Sequence, residues 1–128
     1  MSDQRGRILL VEDTPTQAEI TRALLDELGH AVRHAETGAH GLAMALEWLP
    51  DAILVDLQLP DFDGFEVLRR LRAQPQTATT PCIALSANAT AEDIARGLAA
   101  GFDDYWTKPI RFKPFLEALE RRFPARAA

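Results

Sequence analysis

A chain of 128 residues that is 47% apolar and 26% charged has the make-up of one globular domain able to bury roughly two thirds of its unfolded surface, which excludes a disordered or fibrous polymer. Its formal net charge of −5 repels phosphate backbones and anionic lipid, so neither nucleic acid nor a membrane surface is an expected direct partner. The lone Cys82 excludes an internal disulfide, and no run approaches the roughly 20 apolar residues of a membrane helix; a reducing cytoplasm is the expected setting, with Cys82 a buried, inert thiol.

In chain order, residues 8–11 form an apolar run without polar alternation, as suits a strand covered on both faces. Helical spacing follows over 16–28, where Thr21, Leu24, Leu25 and Leu28 share a face and Gly29 can close the end. Ala31–Ala35 is a weaker strand, mixed with Arg33 and His34. The spacing over 37–49 predicts a helix presenting Leu42, Ala45, Leu46 and Leu49, stopped by Pro50. Residues 52–55 are the second unalternating run, and 64–74 a helix presenting Phe65, Leu68, Leu71 and Arg72 before Pro75.

The third apolar run is 82–85. Thr90 suits the N-cap of a helix over Ala91–Ala100, with Glu92 and Asp93 at its positive end and Gly101 closing it. Residues 105–107 are a short strand, and a last helix is expected from about Arg111, with Pro114 in its first turn. Strand and helix alternate five times without a repeat or linker. That pattern predicts one domain spanning 1–128, with its core at about 7–123: an α/β doubly wound five-stranded parallel sheet with right-handed crossovers. Ligands gather at the carboxyl ends of such strands.

At those ends stand Glu12 and Asp13, Asp56, Ser86 and Lys108. Two carboxylates about 4 Å apart repel by roughly 4 kcal/mol at an effective dielectric near 20, so three of them need more than one lysine to balance. A hard divalent ion with oxygen ligands is the natural remedy, and Mg²⁺ commonly adds a substrate phosphate to one or two carboxylates. Asp56 can then act as a carboxylate nucleophile toward phosphorus, with Lys108 on the equatorial oxygens and Ser86 donating to one of them. Lysine occurs only at 108 and 113 among 14 basic side chains, which favours a compact point charge at 108.

LVEDT (residues 10–14), LVDLQLPDFDG (54–64), LSANA (85–89) and DDYWTKPI (103–110) together resemble response-regulator receiver domains, the CheY-like superfamily with a (βα)5 flavodoxin-like fold. The resemblance implies that Asp56 is the phosphoacceptor and that Mg²⁺ is held by the carboxylates of Asp13 and Asp56, by Glu12 acting through water and by the backbone carbonyl of Gln58. It also implies that Ser86 and Lys108 contact the phosphoryl group beside Ala87, that Ser86 and Tyr105 form the switch pair, and that a cis bond joins Lys108 to Pro109. Glu12 stands where many members have aspartate, and Trp106 where smaller aliphatic side chains are usual.

The implied partners are a histidine kinase or a histidine phosphotransfer protein, and a downstream protein or domain on the face of the fourth helix, fifth strand and fifth helix. The chain would not be an enzyme beyond its own phosphorylation and dephosphorylation. It could be a stand-alone regulator or the receiver of a hybrid histidine kinase. An aspartate-nucleophile phosphatase is a rival, opposed by Gln58 where a second acid is usual. A flavin module is opposed by the three acids.

Other polar residues carry plainer expectations. Asp61, Asp63, Asp103 and Asp104 read as solvated carboxylates or helix caps, and His30, His34 and His40 as surface side chains without a role. Gly38 and Gly41 read as local turn geometry, and Trp106 as core filling, with a surface anchor for a partner as the rival reading.

Overall fold

A computed structural model describes residues 6–88 and 90–108, together with Glu117 and Arg121. Strands β1 (Arg7–Val11), β2 (Ala31–Ala35), β3 (Ala52–Asp56), β4 (Cys82–Ser86) and β5 (Asp104–Thr107) form one parallel sheet in the order β2-β1-β3-β4-β5. Between them lie α1 (Pro15–Glu27), α2 (Gly38–Trp48), α3 (Gly64–Arg72) and α4 (Ala91–Ala100). The expected last helix and Pro109 fall outside the described residues, apart from Glu117 and Arg121, which are both helical.

The unalternating runs are strands because both of their faces are covered. Every residue of β3 and β4 is buried, whereas β2, at the sheet edge, is mostly half-buried, and its apolar signal is correspondingly weak. Leu9, Val11, Ile53, Val55 and Ala84 pack on one face with Val67, Leu68 and Leu71 of α3. Ile8, Leu10, Leu54, Ile83 and Leu85 pack on the other with Ala18 and Leu25 of α1. Each fully buried Leu or Ile stabilises by about 1.5–3 kcal/mol. Repulsion among a few acids at the sheet edge is therefore of the order of one or two such side chains, and this core can carry it.

Local chemistry sets the helix ends. The Thr37, Asp63 and Thr90 side chains accept from the amides of His40, Glu66 and Asp93, capping α2, α3 and α4, and Gly101 at φ 116° closes α4. Gly29, at φ 90°, turns the chain from α1 into β2. The Asp61 carboxylate also accepts from Gly38 N and Ala39 N, both at 2.9 Å, at the positive end of α2. Slight desolvation opposes it, but the amides of Ala39, Gly38 and Phe62 hold Asp61 below its ordinary carboxylate pKa.

Several expectations need correction. Leu46 and Leu49 are 38% and 45% exposed, because α2 turns Gly38, Gly41 and Ala45 inward instead. Gly38 and Gly41 are packing residues rather than turn formers: an added β-carbon would meet the Phe62 ring at 2.6 Å and Val11 Cγ2 at 2.8 Å. His30 is only 4% exposed, since its amide donates to Leu25 O (3.0 Å) and the turn after Gly29 tucks it beneath α1. Trp106 fills core beside Leu85, as expected, and its indole N–H donates to Asp104 Oδ2 at 3.0 Å. Cys82 is buried, and desolvation pushes its thiol up to about 11.

Candidate functional site

The strand order reverses between β1 and β3, so the loops leaving their carboxyl ends diverge and open a crevice. Register brings the acids together there. Leu10 pairs with Leu54 and Val11 with Val55, so Glu12 emerges beside Asp56, the last residue of β3. Glu12, Asp13 and Asp56 each offer a carboxylate oxygen within 4.8 Å of the others. Glu12 and Asp56 are buried, and Asp13 is the most open of the three.

Lys108 arrives from the opposite side. Its amide donates to Ser86 O at 2.8 Å, continuing the β4–β5 pairing by one step. Its Nζ then lies 2.6 Å from Glu12 Oε1 and 2.7 Å from Asp56 Oδ2. Burial lowers the lysine pKa, but the contacts with Asp56 and Glu12 outweigh it and leave Lys108 above its ordinary value. Burial, followed by the nearby Asp56, raises Glu12 to about 7, against the pull of Lys108. Glu12 Oε2 also accepts from Thr14 N at 3.2 Å. Asp56 Oδ1 accepts from Gln58 N at 2.9 Å, which fixes the carboxylate plane.

A cleft of about 420 Å³ opens over these groups, lined by Asp13, Asp56, Gln58, Ala87 and Lys108 among others. All five side chains expected at the strand ends therefore converge on one edge, and Gln58 and Ala87 border the same cleft. Oxygen donors at this spacing, with one cation between them among the described residues, fit a hard divalent metal.

Ser86 ends β4 buried, and its Oγ accepts from Asn88 N at 3.1 Å. Tyr105 is also buried, its ring lying against Gly97 of α4 and its hydroxyl donating to Asn88 O at 2.6 Å. One residue, Asn88, thus joins both members of the expected switch pair through its backbone. Two contributors had no visible sequence signal: Gly97, and His34, whose ring nitrogen Nε2 lies 2.7 Å from Glu12 O. Asp63 caps α3, while Asp103 accepts from Cys82 N (2.8 Å) and Arg72 (3.1 Å), so both stand apart from the acidic site.

Known proteins are similar to this chain over most of its length. The family described as the response regulator receiver domain matches residues 8–120. The DNA-binding dual master transcriptional regulator RpaA of Synechocystis is 39% identical over 91% of this chain, which spans only 49% of that protein's length. Protein PilH of Pseudomonas aeruginosa is 34% identical, with 89% of this chain matched to 94% of that protein. The receiver domain of the sensor histidine kinase PA1611 from Pseudomonas aeruginosa, solved with a magnesium ion coordinated in its active-site cleft, is 37% identical. It superposes with a TM-score of 0.84 over 92% of this chain and 97% of its own.

Proposed function

This chain belongs to the response regulator receiver domain family, and on that premise we propose that it is a switch driven by phosphorylation of Asp56 in the presence of Mg²⁺. The observation that carries the proposal is the convergence of Glu12, Asp13 and Asp56 within 4.8 Å, with Lys108 Nζ 2.7 Å from Asp56. The magnesium ion reported in the PA1611 receiver supports the choice of metal.

Asp13 and Asp56 would hold the ion through carboxylate oxygens, Glu12 through an intervening water and Gln58 through its backbone carbonyl. When bound, Mg²⁺ supplies positive charge that offsets the carboxylates and the phosphoryl oxygens. An Asp56 oxygen attacks the phosphorus of a partner's phosphohistidine: the P–O bond forms as the P–N bond breaks, and the imidazole nitrogen keeps that electron pair. Gln58 N holds the other Asp56 oxygen during attack. Lys108 transfers its contact from the carboxylates to the phosphoryl oxygens. Ser86 Oγ, while accepting from Asn88 N, retains its own O–H to donate to the phosphoryl group.

The pull on Ser86 is relayed through Asn88 to Tyr105 and the face of α4 and β5, where a downstream protein or domain would read the state. The donor would be a histidine kinase or histidine phosphotransfer protein. The chain turns over no separate substrate. Gln58 occupies the place where an aspartate-nucleophile phosphatase usually has its second acid, which disfavours that reading.

Intact mass after incubation with acetyl phosphate and Mg²⁺ tests the proposal. One added phosphoryl group is expected in the wild type and in Asp61→Asn, and none in Asp56→Asn or with chelator present. Equal loss in the two variants would contradict the assignment.

A further inference from the structure

We propose that His34 is a positioning residue for this site, fixing the peptide that joins Glu12 to Asp13; the proposal rests on the receiver reading above. His34 lies on β2 opposite Leu10 of β1. Its ring reaches past the end of the strand pairing to the Glu12 carbonyl, with Nε2 2.7 Å from the oxygen. A carbonyl only accepts, so Nε2 carries the proton. On the other side of Glu12, its amide donates to Ala35 O at 3.0 Å. β2 therefore grips Glu12 at both its N–H and its C=O.

The gripped carbonyl is half of the peptide plane that sets where Asp13 begins. Glu12 has other anchors, since its carboxylate is buried and meets Lys108 and Thr14 N. Asp13 is the most open of the acids, so its position depends on the backbone before it. Rotating that plane would swing Asp13, and the start of α1 at Pro15, away from Asp56. An edge strand has no need of an imidazole for packing, and β-branched side chains such as Val32 suit it better.

A cleft of about 410 Å³ opens beside the ring, lined in part by Ala18, Arg22, Asp26 and Glu36. Water can reach the Glu12 carbonyl once the imidazole is gone, so its loss should loosen the acidic loop without unfolding the chain.

The test titrates Mg²⁺ by calorimetry into the wild type, His34→Leu and His34→Gln, and melts each in metal-free buffer. Glutamine can place an N–H where Nε2 sits, and leucine cannot. Partners that orient metal ligands typically change affinity 10–100-fold, so His34→Leu should weaken Mg²⁺ binding roughly tenfold or more, with metal-free melting near wild type. His34→Gln should recover most of that loss. Wild-type affinity in His34→Leu overturns the proposal, as does a His34→Gln variant no better than His34→Leu. If His34→Leu fails to fold, a long-range ¹H–¹⁵N spectrum of the wild type decides: the Nε2–H tautomer is expected, and the Nδ1–H tautomer overturns the assignment. Absence of Mg²⁺ uptake by the wild type would instead sink the metal site itself, so the two failures are distinguishable.

Discussion

Gly97 is the surface on which the Tyr105 ring lies: a β-carbon at position 97 would sit 2.7 Å from Tyr105 Cδ2 and 3.1 Å from Cε2. Replacing an ordinary helical glycine with alanine stabilises by about 1 kcal/mol. Gly97→Ala should lose that gain, because the inward ring must leave its seat and break its hydrogen bond to Asn88 O. Thermal melting and the Tyr105 ring signals by NMR check this. A clear rise in melting temperature with the ring unmoved would contradict it.

Lys108 is the cation between Glu12 and Asp56, and removing it leaves two buried carboxylates facing each other. Breaking such a buried arrangement from one side costs about 3 kcal/mol. Lys108→Met should therefore melt lower in chelator at pH 8, and Mg²⁺ should restore most of the difference, since the competing ammonium is gone. Phosphorylation by acetyl phosphate should fall sharply even in saturating Mg²⁺. Unchanged phosphorylation would remove Lys108 from the chemistry.

Much of this arrangement was legible in the residues. The runs at 8–11, 52–55 and 82–85 lack alternation because both sheet faces are covered, and each leads into a residue that reaches the site. Thr90 and Gly101 marked the ends of α4 correctly because caps act locally. Tertiary contacts were not legible. Nothing in the spacing of His34 indicated that its ring would meet a backbone carbonyl two residues beyond its strand partner, nor that Gly97 would lie under Tyr105. Leucine periodicity also misled at Leu46 and Leu49, where small residues bring α2 closer to β1 than leucines would allow.

Without metal, pH should act mainly through Glu12. Burial and Asp56 raise its folded pKa to about 7, from an ordinary 4.5. The folded state therefore holds a proton that the unfolded state has released, and its contribution to stability is present below pH 4.5 and lost as pH rises through 7. The loss should be on the order of 3 kcal/mol across that window. Mg²⁺ affinity should move the other way and weaken below pH 7, because the ion must displace this proton. Denaturant melts in chelator, compared with Glu12→Gln, check the sign, and a wild-type slope matching that of the variant would contradict it.

Asp13→Ala removes one of the three crowded carboxylates while leaving the Lys108 contacts with Glu12 and Asp56 intact. Metal-free stability should rise by up to about 1 kcal/mol, the scale for a partly solvated like-charge contact. Mg²⁺ binding should fall below detection by calorimetry. A lower melting temperature in chelator would show that repulsion at this edge is weak.

Chemical mapping of the phosphorylated residue addresses the assignment of Asp56 most directly. Wild-type protein treated with acetyl phosphate and Mg²⁺ is reduced with borohydride, which converts an aspartyl phosphate to homoserine, then digested and sequenced by mass spectrometry. Homoserine at position 56, absent when Mg²⁺ is chelated, is the predicted result. Homoserine at position 13 or 61 in its place, or at none, would contradict it.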